Sequence, residues 1–197
     1  MSFRLGLTGS IGMGKSTTAR LFAEAGCAVW DADAAVHRMY DTDGAAVQPI
    51  KEVLPGAIVD NAVSREKLKE MIGRDASVLG VIERIVHPLV AEDRAEFSRT
   101  ASADILIFDI PLLFEGNGQA TMDAVVCVSV SPEIQKKRVM ERGTMTEAQF
   151  EQIRAKQMPN DEKCALSDYV VITDTLDHAR AQVNKIVETI REQLADA

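Results

Sequence analysis

The chain has no apolar stretch of about 18 residues, so no helix is expected to span a membrane. It opens on no basic segment followed by an apolar run, so no secretory leader is expected, and a cytoplasmic protein is. Cysteine is scarce. Cys27, Cys127 and Cys164 are far apart, and none forms a C-x-x-C pair. That excludes a disulfide framework and points to reduced thiols, with Cys127 a small buried hydrophobe in an apolar run. Positive charge is also in deficit. Lys and Arg number 22 against 30 Asp and Glu, a formal net charge of −8. A broad attraction to nucleic acid or to anionic membrane is thereby excluded, and an anionic ligand must be held by a local cationic pocket. Repeats and low-complexity tracts are absent. What remains is an ordinary globular composition, 46% hydrophobic and 26% charged over 197 residues.

Against that background one run stands out. Gly9-Ser10-Ile11-Gly12-Met13-Gly14-Lys15-Ser16 satisfies G-x-x-x-x-G-K-[ST], followed by Thr17. An apolar strand-like run, Phe3 to Thr8, precedes it, and a helical pattern, Lys15 to Ala25, follows and stops at Gly26. Strand, glycine-rich loop and helix are the context a phosphate-binding P-loop requires. Backbone N–H groups from Gly9 to Thr17 and the helix N-terminus would cradle nucleotide phosphates. Lys15 would reach the β- and γ-phosphates, and Ser16 would offer its hydroxyl to Mg²⁺. ATP and Mg²⁺ are the expected cofactors.

Four further apolar runs read as strands: Ala28 to Asp31, Ile105 to Ile110, Ala124 to Val130 and Tyr169 to Thr173. They do not alternate, which is how strands covered on both faces look, so a parallel sheet between helical layers is expected. The last helix carries Ala179, Val183, Ile186, Val187, Ile190 and Leu194 on one face, with Asp177 placed to cap it. About 70 residues separate Asp33 from Ile105, too many for a loop. This insert is expected to be mostly helical, with segments Ser64 to Ile72, Ser77 to Val86 and Pro88 to Phe97, the last two broken apart by Pro88. Gly44, Pro49, Pro55 and Gly56 punctuate its first half. A second insert, Arg138 to Ala165, is polar and holds a capping box at Thr146 and Gln149. The domain reading is a core of residues 1–33, 103–137 and 166–197, a helical substrate subdomain at 34–102, and a mobile lid at 138–165.

Chemistry beyond phosphate binding rests on fewer residues. Asp31-Ala32-Asp33 ends the second strand, at the carboxyl edge where open α/β sheets bind ligands. Alternation along the strand sends both carboxylates to one side; one could take a proton or help hold Mg²⁺, or Asp33 could simply cap a helix starting at Ala34. Asp109 closes an apolar run, the form that supplies a second magnesium-side carboxylate in P-loop enzymes. Leu113, Phe114 and Glu115 follow, as core or as the wall of a pocket. Arg138, Arg142 and Arg154 could grip phosphates, or pair with Glu133, Glu141 and Glu147 on a solvated face. His87 taken alone reads as structural. A GTP switch is set aside, because Asp41-Thr42-Asp43-Gly44 follows no strand and Asn184-Lys185-Ile186-Val187 lacks the guanine-reading Asp.

Together these residues resemble the dephospho-CoA kinase family, over nearly the whole chain. The likeness rests on GLTGSIGMGKST, Asp31-Ala32-Asp33, His87-Pro88-Leu89-Val90 and Asp109-Ile110-Pro111-Leu112-Leu113-Phe114-Glu115. It continues through Gln135, Arg138 and Arg142, Arg154 to Gln157, and Asp168-Tyr169-Val170-Val171-Ile172. The resemblance implies ATP-dependent phosphorylation of the ribose 3′-hydroxyl of dephospho-CoA. It implies a three-layer α/β/α P-loop fold of the nucleoside monophosphate kinase type, with a five-stranded parallel sheet in the order 2-3-1-4-5, a CoA-binding subdomain and a lid. By the same analogy Asp33 is the base, Asp31, His87 and Leu113 lie around the acceptor, and Arg138 and Arg142 close over the phosphates. One place departs: the family usually runs Asn-x-Gly after the fifth strand, where this chain has Thr173-Asp174-Thr175. Another small-molecule P-loop kinase and a non-enzymatic nucleotide-binding module remain as alternatives.

Overall fold

A computed structural model describes residues 2–196. The described chain divides into two compact units, one formed by residues 2–30 and 101–196 and the other by residues 31–100.

The first unit is built on a parallel sheet. Its strands are β1 (Phe3–Thr8), β2 (Ala28–Asp31), β5 (Ile105–Asp109), β6 (Ala124–Ser129) and β7 (Tyr169–Ile172), in the order β2-β5-β1-β6-β7. Two short strands of the other unit, β3 (Ile58–Val59) and β4 (Ala62–Val63), intervene in the chain. Without them the order is the expected 2-3-1-4-5. The central strand β1 pairs in parallel with both β5 and β6, and β6 with β7. All five residues of β5 are buried, as a run of apolar residues covered on both faces should be. Around the sheet lie α1 (Lys15–Glu24), α6 (Pro132–Glu141), α7 (Glu147–Lys156), α8 (Asn160–Ala165) and α9 (Leu176–Ala195). Leu5, Leu7, Leu21, Phe22, Ile105, Ile107, Val126, Val128, Val183 and Ile190 share one apolar core. The buried stripe of α9 is Ala179, Val183, Ile186, Val187 and Ile190, with Leu194 partly covered. Its cap differs from expectation. Thr175, not Asp177, accepts the His178 N–H, and Asp177 falls inside the first turn. The capping box at Thr146 and Gln149 is present with both of its bonds.

The second unit holds α2 (Ala32–Tyr40), α3 (Val47–Val53), the β3–β4 hairpin, α4 (Arg65–Arg74) and α5 (Ser77–Thr100). Its core is small: Ala35, Met39, Ile50, Ala57, Leu68, Ile82 and Val86 are buried. The expected break at Pro88 does not occur. Pro88 lies inside a single helix of 24 residues. Proline removes one hydrogen bond and crowds the preceding turn, yet the helix runs on through it, with Ile82 and Val86 buried in the half that precedes it. The hairpin turn was not anticipated. Asp60 and Asn61 both take positive φ, 48° and 61°, which is what a two-residue turn between β3 and β4 requires.

No helix among the described residues is long and apolar enough to cross a membrane.

Candidate active site

The P-loop begins where β1 ends. Gly14 sits at the N-cap of α1 with φ +95° and ψ 17°, a left-handed conformation that a side chain disfavours. A Cβ there would also lie 2.9 Å from the Thr173 hydroxyl oxygen, so glycine is needed twice over. The first intrahelical bond of α1 is the Thr18 N–H to the Gly14 carbonyl, 3.1 Å. The N–H groups of Lys15, Ser16 and Thr17 therefore lie outside the helical ladder, where an anion can take them.

Side chains from distant parts of the chain hold the rest of the loop. Asn160 accepts the Ser10 N–H at 2.9 Å, and Gln157 accepts the Ile11 N–H at 3.2 Å. The buried Gln135 donates to the Ile11 carbonyl at 2.7 Å. The Thr173 hydroxyl donates to the Met13 carbonyl at 2.6 Å. Four side chains thus fix the loop's backbone and leave the helix N-terminus to a ligand. Gly9, Gly12 and Met13 are buried within this arrangement, while Ser16 and Thr17 are exposed at its mouth.

Lys15 forms an ion pair with Asp109, at the end of β5. The lysine side chain is 15% exposed and the carboxylate 1%. β5 lies beside β1 in the sheet, with Asp109 opposite Leu7, so the carboxylate comes to the loop's base.

Arg138, on α6, donates to the Thr173 hydroxyl at 3.0 Å and to its backbone carbonyl. Together with Arg142, Gly14, Thr17, Thr18, Thr175 and Leu176 it lines a cavity of about 210 Å³ beside the P-loop. The structure therefore places Arg138 and Arg142 at this cavity and Arg154 at a second one, of about 360 Å³, which Ser10, Met13 and Gln135 also line. Arg154 is exposed on α7 and pairs with Glu151 at 2.7 Å. Glu141 and Glu147, the partners weighed for these arginines, pair instead with Lys137 and Lys136.

Beyond β5, Leu113 is fully buried over Gly6, where a Cβ would meet its side chain at 2.8 Å. Phe114 is half-buried. Glu115 accepts the Met158 N–H at 2.9 Å and pairs with Lys163 at 2.9 Å. Lys163, on α8, is fully buried and also donates to the Pro111 carbonyl at 2.9 Å, which takes a second bond from the Thr8 hydroxyl at 3.1 Å. Burial pushes the Glu115 carboxyl up, but the bonds from Lys163 and from the Met158 N–H outweigh it and hold the group below its ordinary value.

In the second unit, Asp31 is the N-cap of α2 and accepts the Ala34 N–H at 2.9 Å. This corrects the capping alternative for Asp33, which is exposed in the first turn. Strand alternation does not relate the two carboxylates either, since the helix begins at Ala32. His87 is exposed on α5.

A P-loop with a basic cavity beside it, on a sheet of this order, limits the chain to the P-loop kinases and their relatives. The dephospho-CoA kinase family model matches residues 3–177. The chain belongs to the dephospho-CoA kinase family. A dephospho-CoA kinase from Ruegeria pomeroyi is 70% identical, over 97% of each chain. One from Cereibacter sphaeroides is 54% identical, over 99% of this chain and 98% of its own. A crystal structure from Thermus thermophilus superposes with a TM-score of 0.85 at 28% identity, covering 95% of this chain and 97% of its own. Membership of this family makes the protein a kinase.

Gln135, Gln157, Asn160, Lys163 and Thr173 are the parts of the site that sequence reasoning did not assign. Gln157 stood at the edge of a resembling motif without a role. Thr173 was noticed only as a departure from the family pattern. Asn160 and Lys163 lie in a polar stretch with no periodic signal.

Proposed function

We propose that the protein transfers the γ-phosphoryl group of ATP to the ribose 3′-hydroxyl of dephospho-CoA, in the cytoplasm. The observation that carries this is the P-loop itself, clamped by four side chains with its helix N-terminus turned to a ligand. In this reading the loop from Gly9 to Thr17 wraps the ATP phosphates and grips them through the N–H groups of Lys15, Ser16 and Thr17 at the helix end, since those of Ser10 and Ile11 are held by Asn160 and Gln157. Lys15 leaves Asp109 for the β- and γ-phosphates, exchanging one anion for another. The cavity beside Arg138, Arg142 and Thr175 takes the adenine end of ATP. Arg138 and Arg142 also neutralise charge that spreads over the phosphoryl oxygens.

Ser16 and Asp109 suit Mg²⁺, a hard ion that uses one or two protein oxygens and completes its shell with water and nucleotide phosphate. Consistent with that, no cluster of three or more His, Cys, Asp or Glu residues that could cage a metal exists among the described residues. Bound there, the ion would offset negative charge on the β- and γ-phosphates.

Asp33 takes the proton of the acceptor hydroxyl. The helix-capping role belongs to Asp31, and this supports giving Asp33 another task. Asp31, His87, Leu113 and Phe114 are assigned to recognition of the acceptor, and Glu115, tied to Lys163, shapes the 111–115 loop. Residues 34–102 form the acceptor subdomain. Within residues 138–165 the lid that excludes water, which would otherwise compete as acceptor, is the stretch between Arg142 and Gln157, since Arg138, Gln157, Asn160 and Lys163 are tied to the core.

The test is ADP release with dephospho-CoA, AMP, CMP and shikimate offered in parallel. Release with dephospho-CoA alone is expected; release with a nucleoside monophosphate instead overturns the acceptor assignment. Asp33→Asn refines it. Turnover is expected to fall by roughly 10²–10⁴-fold, the usual worth of general-base assistance. The melting temperature is expected to stay near wild type, because Asp33 caps nothing. Turnover near wild type would remove the base role.

A further inference from the structure

Cys127 and Cys164 lie on different elements, β6 and α8, with their sulfurs 3.6 Å apart. Neither is in a disulfide. Their exposure differs. Cys127 is fully buried in the sheet, while Cys164 is half-buried on the helix. The two thiols also share a neighbour. Asn160 donates through Nδ2 to the Cys164 sulfur at 3.6 Å and to the Val128 carbonyl at 3.2 Å. Its Oδ1 accepts the Ser10 N–H of the P-loop at 2.9 Å, and the Cys127 sulfur is 4.0 Å from that same oxygen. One amide therefore links the thiol pair to the phosphate-binding loop.

We propose that Cys127 and Cys164 form a dithiol modification site that takes hydroperoxides, and that its oxidation to a disulfide disables the P-loop. Cys164 is the entry point. Its sulfur attacks one peroxide oxygen, the O–O bond breaks, and sulfenic acid and one water (or alcohol) form. The Cys127 sulfur then attacks the Cys164 sulfur, the S–OH bond breaks, and hydroxide leaves with the Cys127 proton as water. Two electrons pass from the sulfurs to the peroxide, and both thiol protons end in the products.

The roles follow from the surroundings. Burial, and then the adjacent Cys164, push the Cys127 thiol well up, so it is no primary target for an oxidant. It can still act as the resolving partner, because it is already in contact. Cys27, the third thiol, is buried elsewhere in the core and pushed up to about 11 by that burial. A disulfide needs its sulfurs about 2.05 Å apart. Closing the pair brings the sulfurs about 1.5 Å nearer than the thiols now sit. The bond would draw α8 toward β6 and shift the Cys164 sulfur to which the Asn160 amide donates. The amide that holds the Ser10 N–H would have to move with it.

The experiment uses the intact protein treated with hydrogen peroxide. Intact mass should fall by about 2 Da, two hydrogens. Digestion without reductant should give one peptide pair joined through Cys127 and Cys164. ATP-dependent turnover should fall on the order of tenfold to a hundredfold, as small displacements of a catalytic frame do, and dithiothreitol should restore it. Cys164→Ser should keep its basal turnover and resist peroxide, because serine can accept the same Asn160 bond. A mass gain on Cys164 with no linked peptide overturns the site. A linked peptide with unchanged turnover overturns the effect on the loop. The turnover readout rests on the kinase reading, whereas the mass and peptide readouts do not, so the failure of one is distinguishable from that of the other.

Discussion

Two lysines reach carboxylates on the same stretch of chain. Lys15 meets Asp109 at the end of β5, and Lys163 meets Glu115 six residues later. The chemistry is alike and the consequence is not. Lys15 stands at a loop mouth, beside N–H groups that attract anions, so a phosphate can displace Asp109. Lys163 is fully buried and divides its three N–H donors between a carboxylate and the Pro111 carbonyl. It has no anion to exchange for. The first pair is a partner held until a ligand arrives, and the second is a clasp. Burial and hydrogen-bond saturation, rather than residue type, distinguish them.

The largest effect is expected at Lys15. Lys15→Met should lower phosphoryl transfer on the order of 10²–10³-fold, the cost of removing one preorganised charge from a transition state. The rise in melting temperature that ATP confers should also shrink. Steady-state turnover and melting with and without ATP check both. Turnover near wild type would place Lys15 with the structural lysines.

Lys163→Met should act the other way. It removes a fully buried cation and leaves Glu115 without its partner. A loss of about 3 kcal/mol is expected, read as a melting shift on the order of 10 °C without ligand. The shift conferred by ATP should survive. A variant that melts like wild type would mean the clasp carries no load.

The smallest effect concerns protons. Glu115 has a folded-state value below its ordinary 4.5. A depressed carboxyl stabilises the fold above its unfolded value, and that contribution is lost as pH falls through the folded value. Wild type should therefore melt above Glu115→Gln at neutral pH, and the gap should close below about pH 4.5. A gap that persists into strong acid would show that the Lys163 contact does not depend on the Glu115 charge.

These lysines also show what the sequence could and could not carry. Lys15 was legible because a motif places it, and because the strand and helix on either side are strongly apolar or strongly periodic. β1 runs from Phe3 to Thr8 as expected, and α1 begins at Lys15. Lys163 was not legible. Nothing local marks a lysine as buried, and its partners lie 48 and 52 residues away. Asn160 and Gln157 are harder still, since their loop partners are 150 and 146 residues distant. The hairpin at 58–63 is a different kind of miss. Asp60 and Asn61 tolerate positive φ but lack the glycine that marks a two-residue hairpin turn, and the strands on either side are two residues each, too short for any periodicity. At α2, two carboxylates two residues apart competed for one cap, and only backbone geometry decides for Asp31.

Pro88 has a mechanical consequence. A helix of 24 residues is a rod about 36 Å long. Its stiffness comes from a continuous ladder of backbone bonds. Proline has no N–H, so the rung from position 88 to the Arg84 carbonyl is missing, and its ring crowds the turn before it. Helical angles are also disfavoured for His87, as the residue before a proline, although it holds them here. The rod is therefore most compliant near its middle, and bending or thermal fraying there costs less than anywhere else along its interior. A long helix with one soft joint flexes about a fixed point, and that point is written into the chain by a single residue.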